Sequence, residues 1–425
     1  MSTAVPSDLA DLPIAEAAQE ILDVERSAPL QGQFDIELGD GFADPALRAQ
    51  FARREISGPI GLYRLADVTL DASLMLLLRG RRRITETRCH VTDAEYADTL
   101  VKPLDATPHE ATDHYIICCN RTWHDYYHWL TQTVPAIDWS LQTEFHRNPT
   151  LVLWPLHPRQ EETLALLGCQ DLARLTLEIS DTHHFPSAEF SDFLRAETPY
   201  MVSHAAMTTF RRLSNRVAWR RGDAEAIYVA RNDTHNWPMA NEADLIALLE
   251  RQGVRIVVPG GLTFEDQIAT FRAARLVIGV HGPGLSNIVF CQPGASVYEM
   301  LPHHFANPAI NRLAQAAGLN YWADVFVGAG EGDPNDSLWR VDLTSVAARL
   351  DAIRARLAAN PRAEGAMNFL KRTQVAHPDE LDAPARAPIS APPTEVPPER
   401  HEAPPRGMLA RIGDRAARLL VRRGD

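Results

Sequence analysis

Residues 275–302 read RLVIGVHGPGLSNIVFCQPGASVYEMLP, and they carry the clearest secondary-structure pattern of the chain. Its apolar run Leu276–Val280 predicts a buried strand, a short helix is expected from about Leu285, and Val297–Met300 predicts a second strand. A strand that leads through a glycine turn into a helix leaves unpaired backbone N–H groups at the positive end of the helix dipole. We therefore expect an α/β sheet with a phosphate site at this turn.

The same alternation of strands and helices extends through two consecutive parts of the chain. Apolar runs predict strands at 115–119, 151–154, 175–179, 226–230 and 255–258. Helical periodicity predicts helices at 125–141, 159–167, 203–220, 242–252 and 263–273. Two serial arrays of this kind predict an α/β protein with two doubly wound, Rossmann-like lobes, over 1–200 and 201–362, and a cleft between them. In the less regular first hundred residues, Leu74–Leu78 is expected to be a buried strand or helix core.

Composition and charge narrow the class of protein. The chain has 425 residues, 45% of them hydrophobic and 23% charged, which is an ordinary globular balance with room for two domains. Its formal net charge of −13 argues against nucleic acid as a partner, because phosphate-backbone binding needs a basic face. Local geometry must therefore hold any anionic ligand.

The cysteines and the N-terminal sequence indicate the compartment. Five scattered cysteines form neither a disulfide pattern nor a CxxC metal site, which favours a reducing environment. The N-terminus is acidic, lacks a basic region followed by an apolar one, and no stretch approaches 18 apolar residues. We expect a soluble cytoplasmic protein.

The C-terminal part differs in composition from the rest. Nine prolines fall between Pro378 and Pro405, so residues 363–406 are expected to be a disordered linker. Residues 407–425, GMLARIGDRAARLLVRRGD, place apolar and arginine side chains on opposite helical faces. This pattern predicts a basic amphipathic helix that docks on an anionic membrane or a partner, and the alternative is a solvated, partly disordered end.

The glycine turn itself has specific features. Gly282 and Gly284 let the backbone approach a ligand, and Ser286 and Asn287 add donors in the first helical turn. The order of glycines does not match the dinucleotide pattern G-x-G-x-x-G, and no G-x-S-x-G nucleophile elbow occurs in the chain. The alternative is a tight turn in which the glycines serve packing only.

Two charged residues follow strands of the same predicted sheet. Glu299 lies at the expected end of its strand, where a carboxylate accepts hydrogen bonds from a ribose diol. Arg231 follows the strand at 226–230, where a guanidinium can clamp a phosphate. The alternatives are a solvated strand-end carboxylate and an ordinary exposed arginine.

A second polar cluster reads NRTWHDYYHWLTQTVP and spans residues 120–135. Four of its side chains carry polar groups, among them groups capable of proton transfer: Asn120, His124, Asp125 and His128. They alternate with four aromatic residues: Trp123, Tyr126, Tyr127 and Trp129. Aromatic faces with a few directed hydrogen bonds suit a carbohydrate cleft, and a neutral imidazole is a competent general base. The alternative for His128 is a hydrogen-bonded core residue.

Metal ligands are not indicated by the sequence. The chain contains no D-x-D triplet and no set of histidines and cysteines with zinc-ligand spacing. We expect neither a bound metal ion nor another resident cofactor.

These motifs, in this order, resemble glycosyltransferase family 61. The resemblance rests on YYHWLTQTVP (126–135), IYVAR (227–231) and the block 262–302, and it covers about Asp113–Val327. It implies a two-lobed enzyme of GT-B architecture, with an N-terminal acceptor lobe and a C-terminal donor lobe. The implied reaction moves a hexose or pentose from a nucleotide sugar to a glycan hydroxyl, with inversion and without a metal, in capsular or surface polysaccharide synthesis.

The resemblance also implies roles for residues of the donor site. Four residues would contact the diphosphate: Arg231, His281, Gly282 and Gly284. Glu299 would contact the ribose. Leu285 and Asn287, at the start of the short helix, complete the expected donor site.

The reaction cleft is expected around the second polar cluster. His128 is the first candidate for the general base and Asp125 is the second. Three further residues are expected to line the acceptor cleft: Asn120, Tyr127 and Trp129.

Two positions depart from the family pattern and keep an alternative open. Gln132 stands where many members have an acid four residues after the histidine, and Pro283 replaces a frequent alanine, which removes an N–H donor. A non-catalytic nucleotide- or glycan-binding protein of the same fold is therefore the alternative. A nicotinamide-dependent oxidoreductase is disfavoured by the order of the glycines.

Overall fold

The structure is a computed structural model, and it describes residues 11–26, 28–30, 34–57, 59–98, 105–110, 114–143, 149–195, 203–219, 225–231, 239–326 and 338–359. All of these residues belong to one compact unit, Met1–Asn368. The predicted linker 363–406 and the predicted C-terminal helix 407–425 lie outside the described residues. In the described part of the chain, no helix is long and apolar enough to cross a membrane.

The strands, in chain order, are β1 (Ala18–Glu25), β2 (Ala28–Pro29), β3 (Ile36–Leu38), β4 (Ile56–Ser57), β5 (Ile60–Asp71), β6 (Leu76–Arg79), β7 (Arg82–Arg83), β8 (Thr107–Pro108), β9 (Tyr115–Ile117), β10 (Thr150–Leu153), β11 (Arg174–Thr176), β12 (Thr182–Ser191), β13 (Ala226–Val229), β14 (Arg255–Val257), β15 (Leu276–Val280), β16 (Ser296–Pro302) and β17 (Asn320–Phe326).

The α-helices are Ile14–Ala17, Pro45–Ala52, Asp93–Asp98, Tyr126–His128, Val134–Leu141, Pro158–Leu167, His204–Arg216, Glu242–Arg251, Phe264–Ala273, Ala309–Ala316 and Leu343–Ala359. The 3₁₀ helices are Thr85–Thr87, Asp192–Leu194, Pro259–Gly261, Pro283–Phe290 and His303–Phe305. A π-helical segment, Trp129–Thr133, joins two of the α-helices into one continuous helical stretch.

Most strands belong to two sheets, a first sheet of nine strands and a second sheet of six. The second sheet is the doubly wound sheet that the sequence predicts. Its strand order is β14-β13-β15-β16-β17-β3, and every neighbouring pair is parallel. Successive residues of a strand point to opposite faces. Accordingly, Val277 packs in one cluster with Ile268 of one helix, while Ile278 packs in another with Leu245 of a second helix.

The first sheet departs from the predicted Rossmann-like lobe. Its main path is β11-β10-β9-β12-β5-β6-β7, with β1 paired to β5 and β8 paired to β12. The segment β9-β10-β11 is parallel, as expected, and β12 runs parallel to β9. The long strand β5 is antiparallel to β12, β1 and β6. Residues 60–71 alternate too irregularly between buried and exposed positions for a two-fold pattern to reveal this strand.

One hydrophobic core is continuous from the first sheet to one face of the second. It includes Leu62 of β5, Ile137 and Phe210 of two intervening helices, and Val277 of β15. The N-terminal segment also crosses to the second sheet, because β3 pairs with β17 and Asn311 donates to the carbonyl of Phe51. The mixed α/β class is therefore confirmed, while the GT-B arrangement and the division at residue 200 stay predictions.

Two helical elements differ from the expected α-helices. The helix expected at Leu285 is a 3₁₀ helix, Pro283–Phe290, which follows directly from the tight turn at Gly282. The helix expected at 125–141 contains the π-helical segment, and such segments occur frequently at functional sites. The region expected at Leu74–Leu78 contains the buried part of strand β6.

Candidate functional site

A pocket of about 390 Å³ lies at the carboxyl ends of β13 and β15. In the second sheet β14 lies on one side of β13 and β15 on the other, so the strand order reverses between β13 and β15. Crevices at such a switch point are where open α/β sheets bind ligands. The lining residues are Asp125, Tyr126, Arg159, Val229, Ala230, Arg231, Pro259, Gly260, Gln267, Val280, Gly282, Pro283, Gly284 and Leu285.

The turn after β15 presents backbone donors to this pocket. Gly282 is the N-cap of the 3₁₀ helix, and the N–H groups of Gly282 and Gly284 have no acceptor among the described residues. Pro283 between them has no N–H to offer. Two unpaired amides at a helix N-terminus form a surface suited to an anion.

Arg231 extends from the end of β13 to the same turn. Its Nη1 donates to the carbonyl of His281 at 2.7 Å. A Cβ added at Gly282 would lie 3.3 Å from Cζ of Arg231, so glycine leaves the guanidinium its space. The structure thus brings together Arg231, Gly282 and Gly284, as the sequence predicts.

Arg159 is a second cation in the pocket, and the sequence analysis missed it. It lies in the first turn of the helix Pro158–Leu167 and donates to the carbonyls of Pro259, Gly260 and Leu262. Its signal in the sequence was its place just after strand β10, where the carboxyl edge of the first sheet faces the pocket. The guanidinium therefore connects the helix Pro158–Leu167 to the residues that follow β14.

Glu299 lies elsewhere than predicted. It is completely buried in the middle of β16, not at the strand's end. Nδ1 of His281 lies 2.6 Å from Oε1 of Glu299, and Tyr321 donates its hydroxyl to Oε2. Burial raises the pKa of the Tyr321 phenol, so it keeps its proton. This carboxylate therefore orients His281, and its contact with a ribose stays a prediction.

Asn287 and Leu285 also differ from the predicted donor contacts. The Asn287 side chain is completely buried, accepts from Tyr126 Oη at 2.7 Å and donates to Gln267 Oε1 at 2.9 Å. Leu285 lines the pocket but packs under the turn against Gly279, where a Cβ would come within 2.6 Å of its side chain. Asn287 and Leu285 therefore hold the glycine turn in place. Gly279 lacks a side chain because Leu285 packs against it, which is the packing role that we kept as the alternative for the glycines.

Asp125 and His128 lie one helical turn apart beside the pocket. Asp125 is the N-cap of the helix, its Oδ1 accepts from the backbone N–H of Tyr127 at 2.8 Å, and it lines the pocket. His128 is half-buried, is not among the lining residues, and its Nδ1 lies 3.0 Å from Gln132 Oε1. Asp125 therefore lies at the pocket, and His128 follows it in the first turn of the helix.

The rings around His128 are uncharged near neutral pH. His90 meets it edge to face, with ring centroids 5.7 Å apart. Burial, followed by the influence of His128 and Arg121, lowers the pKa of His90 to about 4. Burial likewise lowers the pKa of His124. The two imidazole rings beside His128 are therefore neutral at neutral pH.

The three residues expected to line an acceptor cleft take other places. Trp129 is a core residue whose Nε1 donates to Thr163, and Asn120 is buried with its amide fully engaged. Tyr127 is half-buried, and burial raises the pKa of its phenol. Of these three residues, only Tyr127 is partly exposed.

A different aromatic group lies at this edge of the first sheet. Trp123 stacks on Trp154 with centroids 5.9 Å apart and on His157 at 6.5 Å. Both indoles are half-buried, and Trp154 Nε1 is a buried donor without a partner in the described part of the chain. Trp123 and His157 are each two residues from a pocket-lining residue, Asp125 and Arg159. We call Trp123, Trp154 and His157 the aromatic shelf.

Metal-binding clusters were sought in the same residues. Among the residues that the structure describes, no group of three or more histidine, cysteine, aspartate or glutamate side chains is arranged to hold a metal ion.

Two comparisons with known proteins show what the chain is similar to. A family model described as Glycosyltransferase 61 matches residues 126–298. A beta-1,2-xylosyltransferase of Arabidopsis thaliana is 28% identical over 91 residues, which are 21% of this chain and only 16% of that protein. Together the two matches support a glycosyltransferase, and they confirm the resemblance of the chain to glycosyltransferase family 61.

Proposed function

We propose that this chain transfers a sugar from a nucleotide-sugar donor to a hydroxyl group of a glycan, with inversion and without a metal ion. The pocket at the switch point carries the proposal, because it combines two arginines with two backbone amides that have no acceptor among the described residues. A nucleoside diphosphate is an anion of matching charge, and guanidinium groups bind phosphates in bidentate fashion.

The departing diphosphate gains negative charge as the bond to the sugar breaks. Arg231 and Arg159 supply positive charge there, and the amides of Gly282 and Gly284 supply donors in fixed positions. Groups that are already oriented before the reaction stabilise such a charge without reorganisation. In this proposal the two guanidiniums do the work that a divalent cation would otherwise do.

The attacking hydroxyl must lose its proton as it bonds to the anomeric carbon. We assign this proton to Nε2 of His128, because that nitrogen has no partner among the described residues. Asp125 is the second candidate, although its Oδ1 caps the helix. Inversion requires the hydroxyl to attack opposite the diphosphate, so the base and the arginines would lie on opposite sides of the donor sugar.

The acceptor sugar is proposed to bind on the aromatic shelf. Indole and imidazole faces pack against the C–H faces of sugar rings, and nearby polar groups supply directed hydrogen bonds. The shelf adjoins the pocket through Asp125 and Arg159, so an acceptor there would lie beside the donor.

The sugar and the cellular role are further proposals. The similar plant protein is named for xylose transfer, which supports a pentose donor, with a hexose as the other choice. A role in capsular or surface polysaccharide synthesis follows from the family resemblance. In this proposal the chain acts in the cytoplasm, and residues 407–425 bring it to an anionic membrane.

A thermal-shift panel tests the donor site. We expect UDP, GDP or one of their sugar conjugates to raise the melting temperature, since a ligand at a hundred times its Kd stabilises by about 2.7 kcal/mol. A panel in which no nucleotide shifts the melting temperature contradicts the proposal. Binding without hydrolysis or transfer would favour the non-catalytic alternative. Activity that disappears with EDTA and returns with manganese would contradict the metal-free mechanism.

A further inference from the structure

We propose that Gln132 is a positioning residue that fixes His128 as its Nδ1–H tautomer and leaves Nε2 as the proton acceptor. The tautomer follows from hydrogen-bond geometry alone. Its use in catalysis rests on the proposed function, in which His128 is the general base.

The orientation of the Gln132 amide is set by groups whose roles cannot change. Its Nε2 donates to the backbone carbonyl of Arg195 at 3.0 Å. Its Oε1 accepts from Asn120 Nδ2 at 2.8 Å. A flipped Gln132 amide would place NH₂ against NH₂ at Asn120 and oxygen against oxygen at Arg195.

The orientation of Asn120 is fixed in the same way. Its Nδ2 also donates to the carbonyl of Leu194 at 2.9 Å, and its Oδ1 accepts from the backbone N–H of Thr122 at 3.0 Å. A carbonyl only accepts and an amide N–H only donates, so both side chains have one arrangement that satisfies every bond. The chain of bonds therefore starts from the backbone and ends at His128.

The consequence for His128 is a single neutral tautomer. Gln132 Oε1 lies 3.0 Å from His128 Nδ1, and an amide oxygen can only accept. Nδ1 must then carry the proton, and the lone pair of the neutral ring is on Nε2. Since Nε2 has no partner among the described residues, it is available to a substrate hydroxyl.

The hydrogen bonds that connect Asn120, Gln132 and His128 lie in the protein interior. Gln132 is completely buried and Asn120 is 3% exposed, so water does not compete for these bonds. Gln132 belongs to the π-helical segment Trp129–Thr133, whose wider turn places position i+4 beside His128. A buried network with all partners satisfied holds a side chain in one orientation.

The neutral charge of Gln132 also affects the proton affinity of His128. The groups around His128 are Gln132, Asp125 and Tyr127 on its own helical stretch, His124 just before that stretch, and the ring of His90 from a preceding segment, whose carbonyl accepts from Arg121. Gln132 is neutral and adds no stabilisation to the imidazolium. A carboxylate in its place would favour the protonated ring, because an opposite charge within about 4–6 Å shifts a pKa by 1–3 units.

Nitrogen-15 NMR on histidine-labelled protein tests the tautomer without any activity. His128 signals are assigned by their loss in His128→Gln. We expect the Nδ1–H form in the wild type at neutral pH, and a mixture or the Nε2–H form in Gln132→Met, which keeps an apolar side chain of similar size. A wild-type ring in the Nε2–H form, or in rapid exchange between both forms, overturns the proposal.

The pH dependence of transfer tests the catalytic role. In Gln132→Glu we expect the acid limb of kcat/KM to move up by about one unit or more, since an added carboxylate raises the pKa of the histidine. Gln50→Glu is the matched control, because it adds the same charge at an exposed position of another helix, Pro45–Ala52. An acid limb that stays in place in Gln132→Glu overturns the positioning role. Absence of transfer in the wild type would instead refute the proposed function, while the NMR result stands by itself.

Discussion

The two polar clusters beside the pocket differ in how they present groups to a ligand. The turn after β15 offers backbone N–H groups, at Gly282 and Gly284, with Arg231 against the turn. The helix start at residues 120–132 offers side chains, and of those predicted to act there only Asp125 lines the pocket. Asn120 and Trp129 are buried within the protein.

The difference shows which kind of site a sequence predicts well. Backbone donors after a strand point to the carboxyl edge of the sheet whatever the surrounding side chains do. Side chains of a helix reach a pocket only if the helix is rotated suitably, and packing decides that rotation. We therefore expect ligand binding at the turn to depend on its backbone conformation, and the activity of the helical cluster to depend on the identity of single side chains.

The largest loss of activity is expected when the proposed general base, His128, is removed. His128→Ala should lower kcat by about 10²–10⁴, the usual contribution of a general base. Steady-state kinetics measures it, with His204→Ala, an exposed histidine at the start of another helix, as control. Asp125→Asn keeps a good N-cap and should stay within about tenfold of the wild type. If Asp125→Asn loses activity and His128→Ala does not, the base is Asp125.

The next effect breaks the donor side. Arg231→Ala should lower kcat by about 10²–10³, because it removes one preoriented donor to the departing diphosphate. Its melting temperature should fall only slightly, since the lost bond to the His281 carbonyl contributes about 0.5–1.5 kcal/mol. Arg255→Ala, at an exposed position of β14, is the control. Wild-type turnover in Arg231→Ala would show that the phosphate lies elsewhere.

A smaller effect is expected at Glu299, and it tests whether this carboxylate stabilises the fold or binds the ligand. Glu299→Gln should lower the free energy of unfolding by about 1–3 kcal/mol, because two buried hydrogen bonds lose their charged acceptor. Urea unfolding measures this loss, and calorimetry should find UDP affinity within about threefold of the wild type. A direct ribose contact would give another result: 2′-deoxy-UDP would bind the wild type more weakly than UDP, and the variant would not distinguish the two.

The smallest effect concerns the acceptor. Trp123→Leu removes the central ring of the aromatic shelf and should raise the KM for the glycan acceptor about tenfold, since stacking on an aromatic ring contributes about 0.5–1.5 kcal/mol beyond its buried area. The KM for the donor and the rate of donor hydrolysis should not change. Trp219→Leu, a half-buried tryptophan outside this region, is the matched control. A rise in donor KM alone would assign the shelf to the nucleotide.

Strands β13 to β16 of the second sheet and the parallel strands β9 to β11 of the first could be predicted closely, whereas β3, β17 and the antiparallel part of the first sheet could not. Buried parallel strands such as β15 are continuous apolar runs bounded by turns, and their pattern is local. Strand β5 gains its place from antiparallel partners distant in sequence, β1 and β12, and nothing within residues 60–71 specifies that pairing. The two strands at the edges of the pocket, β13 and β15, belong to the well-predicted class.

Single side chains were harder to place than the elements that carry them. The sequence identified Glu299 as a carboxylate near the pocket, but its burial in mid-strand and its bonds to His281 and Tyr321 come from tertiary packing. Arg159 was passed over as one residue of a surface helix, although its contacts across to Pro259 make it part of the pocket.

Sequence patterns alone indicate the α/β class, the glycine turn after β15, and the resemblance of residues 126–298 to glycosyltransferase family 61. These features depend on short-range patterns, since periodicity and glycine placement act within a few residues. Tertiary packing selects which charged side chains face the pocket, where the aromatic rings of the shelf meet, and how Gln132 contacts His128. Those contacts join residues distant in sequence, and the free energy of packing the whole core selects among them.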